Sequence, residues 1–215
     1  AQMGLSGAIN YAGWFRALSQ RMAKAYCQQY LQVLPGAAVD VMGLARKMVQ
    51  SGSNELARGM QSGQWPADVG RQLADVQKHF ALLNQLTAAP ATQTALVVAA
   101  SEQADRTLLV AQTVTESIEK MAQAPSARLV NLAGRQRMLS QRLAKNYFLN
   151  AAKVESKVVQ AQLVADAADF RQALQTLKAA PVSTPAIRSE LELADSQWLF
   201  FDSALRRPAD DAGLS

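Results

Sequence analysis

Apolar and polar residues alternate along most of this chain with the period of an amphipathic helix. Between residues 10 and 26, at about 100° per residue, the apolar side chains fall in one sector of about 80°. These side chains are Tyr11, Phe15, Leu18, Met22 and Tyr26. Similar runs are separated by stretches rich in Pro, Gly and Ser at residues 34–36, 62–66, 87–92, 122–127, 178–185 and 206–213. The pattern predicts about seven helices.

The composition favours helix along nearly the whole chain. Its 215 residues include 11 glycines, 7 prolines and few aromatic residues, and Ala, Leu, Gln, Val and Arg dominate the rest. This length allows one large domain or two small ones with a self-supporting core. We therefore expect an all-α fold of antiparallel helical bundles.

One basic, glutamine-rich segment occurs twice. GWFRALSQRMAKAY at residues 13–26 returns as GRQRMLSQRLAKNY at residues 134–147. We call residues 10–26 the first box and residues 131–147 the second box; eleven of their seventeen positions are identical. The repeat continues: LTAAP at 86–90 resembles LKAAP at 177–181, and EQAD ending at Asp105 resembles ELAD ending at Asp195. We expect two modules, residues 1–122 and 123–215, the first with an extra segment at about 33–63.

The identical positions of the boxes lie mostly on the polar helix face. The identical positions on the polar face are Asn10, Gly13, Arg16, Gln20, Arg21 and Lys24 in the first box, and Asn131, Gly134, Arg137, Gln141, Arg142 and Lys145 in the second. A charged helix face is usually only solvated. However, a glycine inside a helix costs about 1 kcal/mol relative to alanine, which suggests close approach of a backbone or a ligand. Because this face carries no carboxylates, we expect a small planar oxyanion to complement its arginines.

Several other functions are disfavoured by the sequence. With one cysteine, Cys27, and one histidine, His79, the chain has no intramolecular disulfide and no ligand set for zinc. It also lacks a histidine base near a candidate nucleophilic serine, so we expect no metal, no cofactor and no enzyme activity. The basic residues are distributed, which argues against nucleic-acid binding despite the net charge of +5. The longest apolar run, residues 94–100, is far short of a membrane span. The initial Ala-Gln would suit a cleaved leader, and hence export.

The second box, NLAGRQRMLSQRLAK at residues 131–145, resembles the signature of PilJ-type sensor domains of type IV pilus chemotaxis transducers, and the P-box of NarX/NarQ-type nitrate sensors. ADSQWLFFDSALRR at residues 194–207 resembles a later helix of such domains. The resemblance implies tandem copies built as two four-helix-bundle-like modules, an extracytoplasmic (periplasmic) location, and nitrate held by the box arginine. That residue is Arg137, with Arg16 as its counterpart.

The candidate ligand-binding residues are therefore Asn10, Gly13, Arg16, Asn131, Gly134 and Arg137, with Gln20, Arg21, Gln141 and Arg142 as secondary candidates. Since the first box has Trp14 and Phe15 where the second has Arg135 and Gln136, we expect Arg137 to matter most. Arg21 and Arg142 are expected to pair with carboxylates of neighbouring helices.

The sequence leaves open how the boxes assemble and which of two functions the chain has. Related sensors bring two box helices together across a dimer, so this chain forms a homodimer or pairs its own boxes, with Gly13 beside Gly134. The alternative function is a protein-interaction module of a type IV pilus or chemosensory system, with a membrane receptor or pilus component as its partner and no small ligand.

Overall fold

The structure, a computed structural model, describes residues 4–180 and 185–205, and this part of the chain forms seven α-helices and no strand. The helices are α1 (Leu5–Leu31), α2 (Pro35–Gln61), α3 (Ala67–Ala88), α4 (Thr94–Ala122), α5 (Pro125–Ala151), α6 (Ser156–Ala179) and α7 (Pro185–Leu205). The predicted all-α bundle is confirmed. Residues 33–63, predicted as an extra segment of the first module, contain α2.

The helices begin and end at the breaker residues. Pro35 and Pro125 occupy the first turns of α2 and α5, where a missing N–H costs no helical hydrogen bond. Gln32 and Gln123, which follow the last residues of α1 and α4, adopt left-handed conformations that close those helices. The chain therefore reverses in short connections, and consecutive helices pack side by side.

Helix α1 lies at the centre of the bundle and packs against α2, α4 and α5. Its apolar sector is buried as predicted: Leu18 and Met22 are enclosed, and the Phe15 ring meets Phe80 of α3 edge to face at 5.8 Å. In α5, Leu139 and Leu143 are also buried. Burial of each such side chain contributes about 1.5–3 kcal/mol.

A single hydrophobic cluster connects the two predicted modules, because α1 of the first packs along α5 of the second. Within the described residues, residues 1–122 supply four helices and residues 123–215 supply three. The division into two modules stays a prediction.

The two box helices pack together within one chain. A Cβ atom built on Gly134 would lie 3.9 Å from the Cα atom of Gly13, so the backbones approach closely at these two positions. Further along, Gln20 of α1 and Lys145 of α5 both reach Asp105 of α4. Helices α1 and α5 therefore run parallel, and α4 runs antiparallel to both along one side of the pair.

Candidate functional site

The box helices exchange equivalent hydrogen bonds. The Nη1 atom of Arg16 donates to the Oδ1 atom of Asn131 at 2.8 Å, and the Nη1 atom of Arg137 donates to the Oδ1 atom of Asn10 at 3.1 Å. Each box arginine thus binds the asparagine of the other box. The two box helices are therefore related by an approximate local twofold axis. The structure brings together all six primary candidate residues.

Arg16 is fully buried, with no exposed surface, and its hydrogen-bond acceptors are neutral. Its Nε atom donates to the carbonyl oxygen of Gly13 at 3.2 Å, and its Nη1 atom also donates to the Oε1 atom of Gln112 at 2.8 Å. Its Nη2 atom donates to the carbonyl oxygen of Asn131 at 3.2 Å. Among the described residues, no carboxylate forms an ion pair with this guanidinium.

The electrostatic surroundings of Arg16 disfavour its charge. Burial, followed by the positive charges of Arg135 and Arg137, lowers the pKa of Arg16 to about 10, against the opposing effect of Glu116 and Glu119. Burial dominates because a desolvated charge is stabilised only by the dipoles and charges around it. The site is therefore a buried cation in a field that favours a nearby anion.

The two glycines make room for this guanidinium. A Cβ atom at Gly13 would lie 2.8 Å from the Nη2 atom of Arg16, and a Cβ atom at Gly134 would lie 2.9 Å from the same atom. Both distances are shorter than side chains tolerate. The predicted close approach is confirmed, and what the glycines admit is the side chain of Arg16 between the two helices.

Arg137 has different surroundings from its counterpart. Its Nε atom forms an ion pair with the Oε1 atom of Glu190 on α7 at 2.6 Å, and both side chains are about 15% exposed. Its guanidinium also lies over the ring of Trp14, 4.6 Å from the centroid, as a cation–π contact. Trp14, which stands where the second box has Arg135, thus contributes to the box pair.

Carboxylates of neighbouring helices pair with the arginines of the second box, although the box face itself carries none. Arg142 binds both carboxylate oxygens of Asp166 on α6 at 2.7 Å each, as expected for its pairing with a neighbouring helix. Arg135 pairs with Asp169 of the same helix at 3.3 Å. These acids come from α6 and α7, outside the box helices, so the pattern of the box helices alone does not contain them.

Arg21 does not pair with a carboxylate among the described residues, contrary to its expected role. Its guanidinium instead lies 5.7 Å from the ring centroid of Trp14, and burial lowers its pKa. Of the remaining secondary candidates, Gln20 is buried and donates to Asp105, and the Oε1 atoms of both Gln20 and Gln141 are buried without a hydrogen-bond partner.

Four polar residues outside the candidate set belong to the same network. Lys145 is almost fully buried, and its Nζ atom lies 2.7 Å from the Oδ1 atom of Asp105. Gln112 contacts Arg16, and Glu119 accepts a hydrogen bond from the Nδ2 atom of Asn131 at 3.0 Å. Lys145 was identifiable as an identical box position, and Asp105 from the repeated E-x-A-D. Gln112 and Glu119 carry no comparable sequence signal.

A groove of about 900 Å³ opens beside the box pair, between α4, α5 and α6. Two of its lining residues, Gln112 and Asn131, are the side chains that hold Arg16. Arg128 and Arg135 also line it, together with the acids Glu119 and Asp169. A small solute in this groove reaches the immediate partners of the buried guanidinium.

The described residues contain no cluster of three or more His, Cys, Asp or Glu side chains suited to a metal ion. Across residues 4–180 and 185–205, no helix combines the length and apolar character needed to cross a membrane. Cys27 is buried, and burial raises the pKa of its thiol to about 12, which makes it a packing residue.

Residues 119–213 match the family described as the N-terminal domain of type IV pili methyl-accepting chemotaxis transducers, PilJ. The match contains the whole second box, so this part of the chain is similar to PilJ-type domains, a family of sensory and signalling modules. It spans somewhat less than half of the chain and does not include the first box, whose origin as a second copy stays a prediction. No curated protein and no solved structure matches the chain.

Proposed function

We propose that this chain is an extracytoplasmic sensor module, located in the periplasm, that binds a small oxyanion at its paired boxes. Nitrate is the first candidate. The observation that carries the proposal is the buried guanidinium of Arg16, held by neutral acceptors between two glycines with no ion-paired carboxylate among the described residues.

Electrostatics favours an anion at this position. Burial and two neighbouring arginines lower the pKa of Arg16, so its charged form is destabilised relative to a solvated arginine. A bound anion stabilises that charge directly, and a planar oxyanion matches the planar fork of guanidinium N–H groups. Binding should therefore raise the pKa of Arg16.

The groove between α4, α5 and α6 supplies a route to the site. A planar anion entering beside Gln112 and Asn131 replaces one of the two amide oxygens that accept from the Nη1 atom of Arg16. The displaced amide then donates its second N–H to the anion, because its first already donates to Glu116 from Gln112 or to Glu119 from Asn131. Binding thus changes contacts of α4 and α5 together, which is what a sensor needs to report a ligand.

The ion pair of Arg137 changes which of the two arginines, Arg16 or Arg137, we expect to contribute more to anion binding. Glu190 already neutralises much of the positive charge of Arg137, whereas Arg16 has no such partner in the described chain. We therefore expect Arg16 to contribute most to anion binding, and Arg137 to act mainly by keeping Asn10 and Trp14 in place.

Calorimetric titration tests the proposal with nitrate, nitrite, sulfate and phosphate at constant chloride. Nitrate should bind the wild type, and Arg16→Lys should weaken binding about tenfold to a hundredfold, because an ammonium group lacks the planar fork. Arg71→Ala, which changes an arginine that is 74% exposed on α3, is the matched control and should bind as the wild type does.

Circular dichroism and thermal melts of each variant without ligand separate lost binding from lost folding. Absence of heat with all four anions, in a folded wild type, would overturn the proposal and favour the protein-interaction module.

A further inference from the structure

The two cations at the end of the second box each have a carboxylate partner. Lys145 pairs with Asp105 of α4, and Arg142 binds Asp166 of α6 through two hydrogen bonds. Asp105 also accepts a hydrogen bond from Gln20 of the first box at 3.2 Å, so this carboxylate bridges the two box helices.

The equivalent cations of the first box have no carboxylate partner among the described residues. Lys24 and Arg21 are half-buried, and neither forms a hydrogen bond or an ion pair within residues 4–180 and 185–205. Burial and the charge of Arg21 lower the pKa of Lys24 to about 8, with no carboxylate opposing the shift. Gln141, the counterpart of Gln20, donates no side-chain hydrogen bond within the described residues, so its Nε2 group is available to donate to a carboxylate as that of Gln20 does. Half-buried cations without partners are costly, and they favour an acidic group on this surface.

The local twofold relation specifies where that acidic group lies. Asp105 bridges Gln20 and Lys145 on one side of the box pair, so the equivalent carboxylate on the other side bridges Gln141 and Lys24. Helix α7 of the same chain does not supply it. This helix packs on α5 and α6, and its Glu190 pairs with Arg137.

The sequence of α7 contains the carboxylate that fits. Asp195 ends the second E-x-A-D motif as Asp105 ends the first, and Asp202 follows seven residues later, as Gln112 follows Asp105. In α4 this spacing places both side chains against the boxes. In α7, Asp195 is 50% exposed and pairs with Lys178, which is 51% exposed. Leu199, one turn further, is 73% exposed.

We propose that this chain forms a homodimer in which α7 of a second copy docks along the first box and places the Asp195 carboxylate between Lys24 and Gln141. The acidic, partly apolar face of α7 complements the cationic face of α1 beside Trp14. The same contact is made twice about a dimer axis, as is usual for a closed homodimer. This assembly does not depend on an anion ligand.

Sedimentation analysis with charge-reversal variants tests the dimer. Lys24→Glu and Asp195→Lys should each weaken dimerisation at least about tenfold, because like charges then face each other. The double variant, Lys24→Glu with Asp195→Lys, should restore dimerisation to within about threefold of the wild type by re-forming the pair in reversed order. Since Asp195 is half-exposed, its variant should fold normally.

Lys157→Glu, at an exposed position on α6, is the control and should leave the dimer intact. Raising the ionic strength should weaken the wild-type dimer, because part of the contact is solvent-accessible. A wild type that stays monomeric at the highest concentration reached overturns the proposal, as does a dimer that is unaffected by Lys24→Glu. A double variant no better than the single variants also overturns it.

Discussion

Substitution of Gly134 by alanine tests whether the guanidinium of Arg16 is held between the box helices. The added Cβ atom would lie 2.9 Å from the Nη2 atom of Arg16, so the guanidinium must move. It is fully buried and makes four hydrogen bonds, and a shift away from α5 weakens those to Asn131. A hydrogen bond from a charged group contributes about 1.5–3 kcal/mol.

Alanine also favours the helix over glycine by about 1 kcal/mol, which offsets part of this loss. The net expectation for Gly134→Ala is a decrease of about 1–3 kcal/mol in the free energy of unfolding, or about 2–10 °C in Tm for a protein of this size. Gly43→Ala in α2 is the matched control, because no atom lies within 4 Å of the Cβ built there. It should stabilise the protein by about 0.5–1 kcal/mol.

Urea unfolding at neutral pH, followed by circular dichroism, measures both changes. In an Arg16→Met background the clash with Nη2 is absent, so Gly134→Ala should become neutral or stabilising. If Gly134→Ala raises the stability of the otherwise wild-type protein as Gly43→Ala does, the close packing of Arg16 against Gly134 is refuted.

Three further predictions concern stability. Leu139→Ala, in the core, should lower the free energy of unfolding by about 2–5 kcal/mol in urea titrations. Arg142→Ala should cost about 3–5 kcal/mol by the same assay, because it leaves the buried carboxylate of Asp166 unpaired; Arg135→Ala breaks a more exposed pair and should cost less than about 1 kcal/mol. The folded-state pKa of Lys24, about 8, lies below its ordinary value of 10.5, so the unfolded chain binds more protons across that window. From pH 8 to 10.5 the dilute wild-type monomer should therefore gain stability relative to Lys24→Met, whereas the raised pKa of Cys27 opposes the rise equally in both proteins. A stability difference between the two proteins that stays constant over this window contradicts the prediction.

Local pattern was enough to predict the helices and the close approach of the boxes. The period of apolar residues identified the buried face of α1, and the prolines and glycines marked its connections. Gly13 and Gly134 indicated close contact because a helix retains such residues at a cost. Each of these features depends on residues near one another in the sequence, or on a direct repeat.

The partners of the arginines could not be predicted in the same way. Arg16 and Arg137 are equivalent in sequence, yet one is buried against α4 and the other pairs with Glu190 of α7. Their difference depends on the positions of helices from distant parts of the chain, and a helical period gives no information about the register between helices. The same reason explains why Asp166 was not identified as the partner of Arg142.

Pairing the boxes within one chain has a consequence for how the two halves evolve. Joining them makes their association intramolecular, so it does not depend on protein concentration and no translational entropy is lost when they meet. In a homodimer, any substitution in one box appears in both. Here each box can change alone, and the first has Trp14 and Phe15 at the positions where the second has Arg135 and Gln136. Phe15 therefore packs in the core, and Trp14 lies against Arg137. Arg16 is buried, whereas its counterpart Arg137 forms an ion pair with Glu190. Two identical chains related by an exact symmetry axis cannot have such different surroundings for equivalent residues.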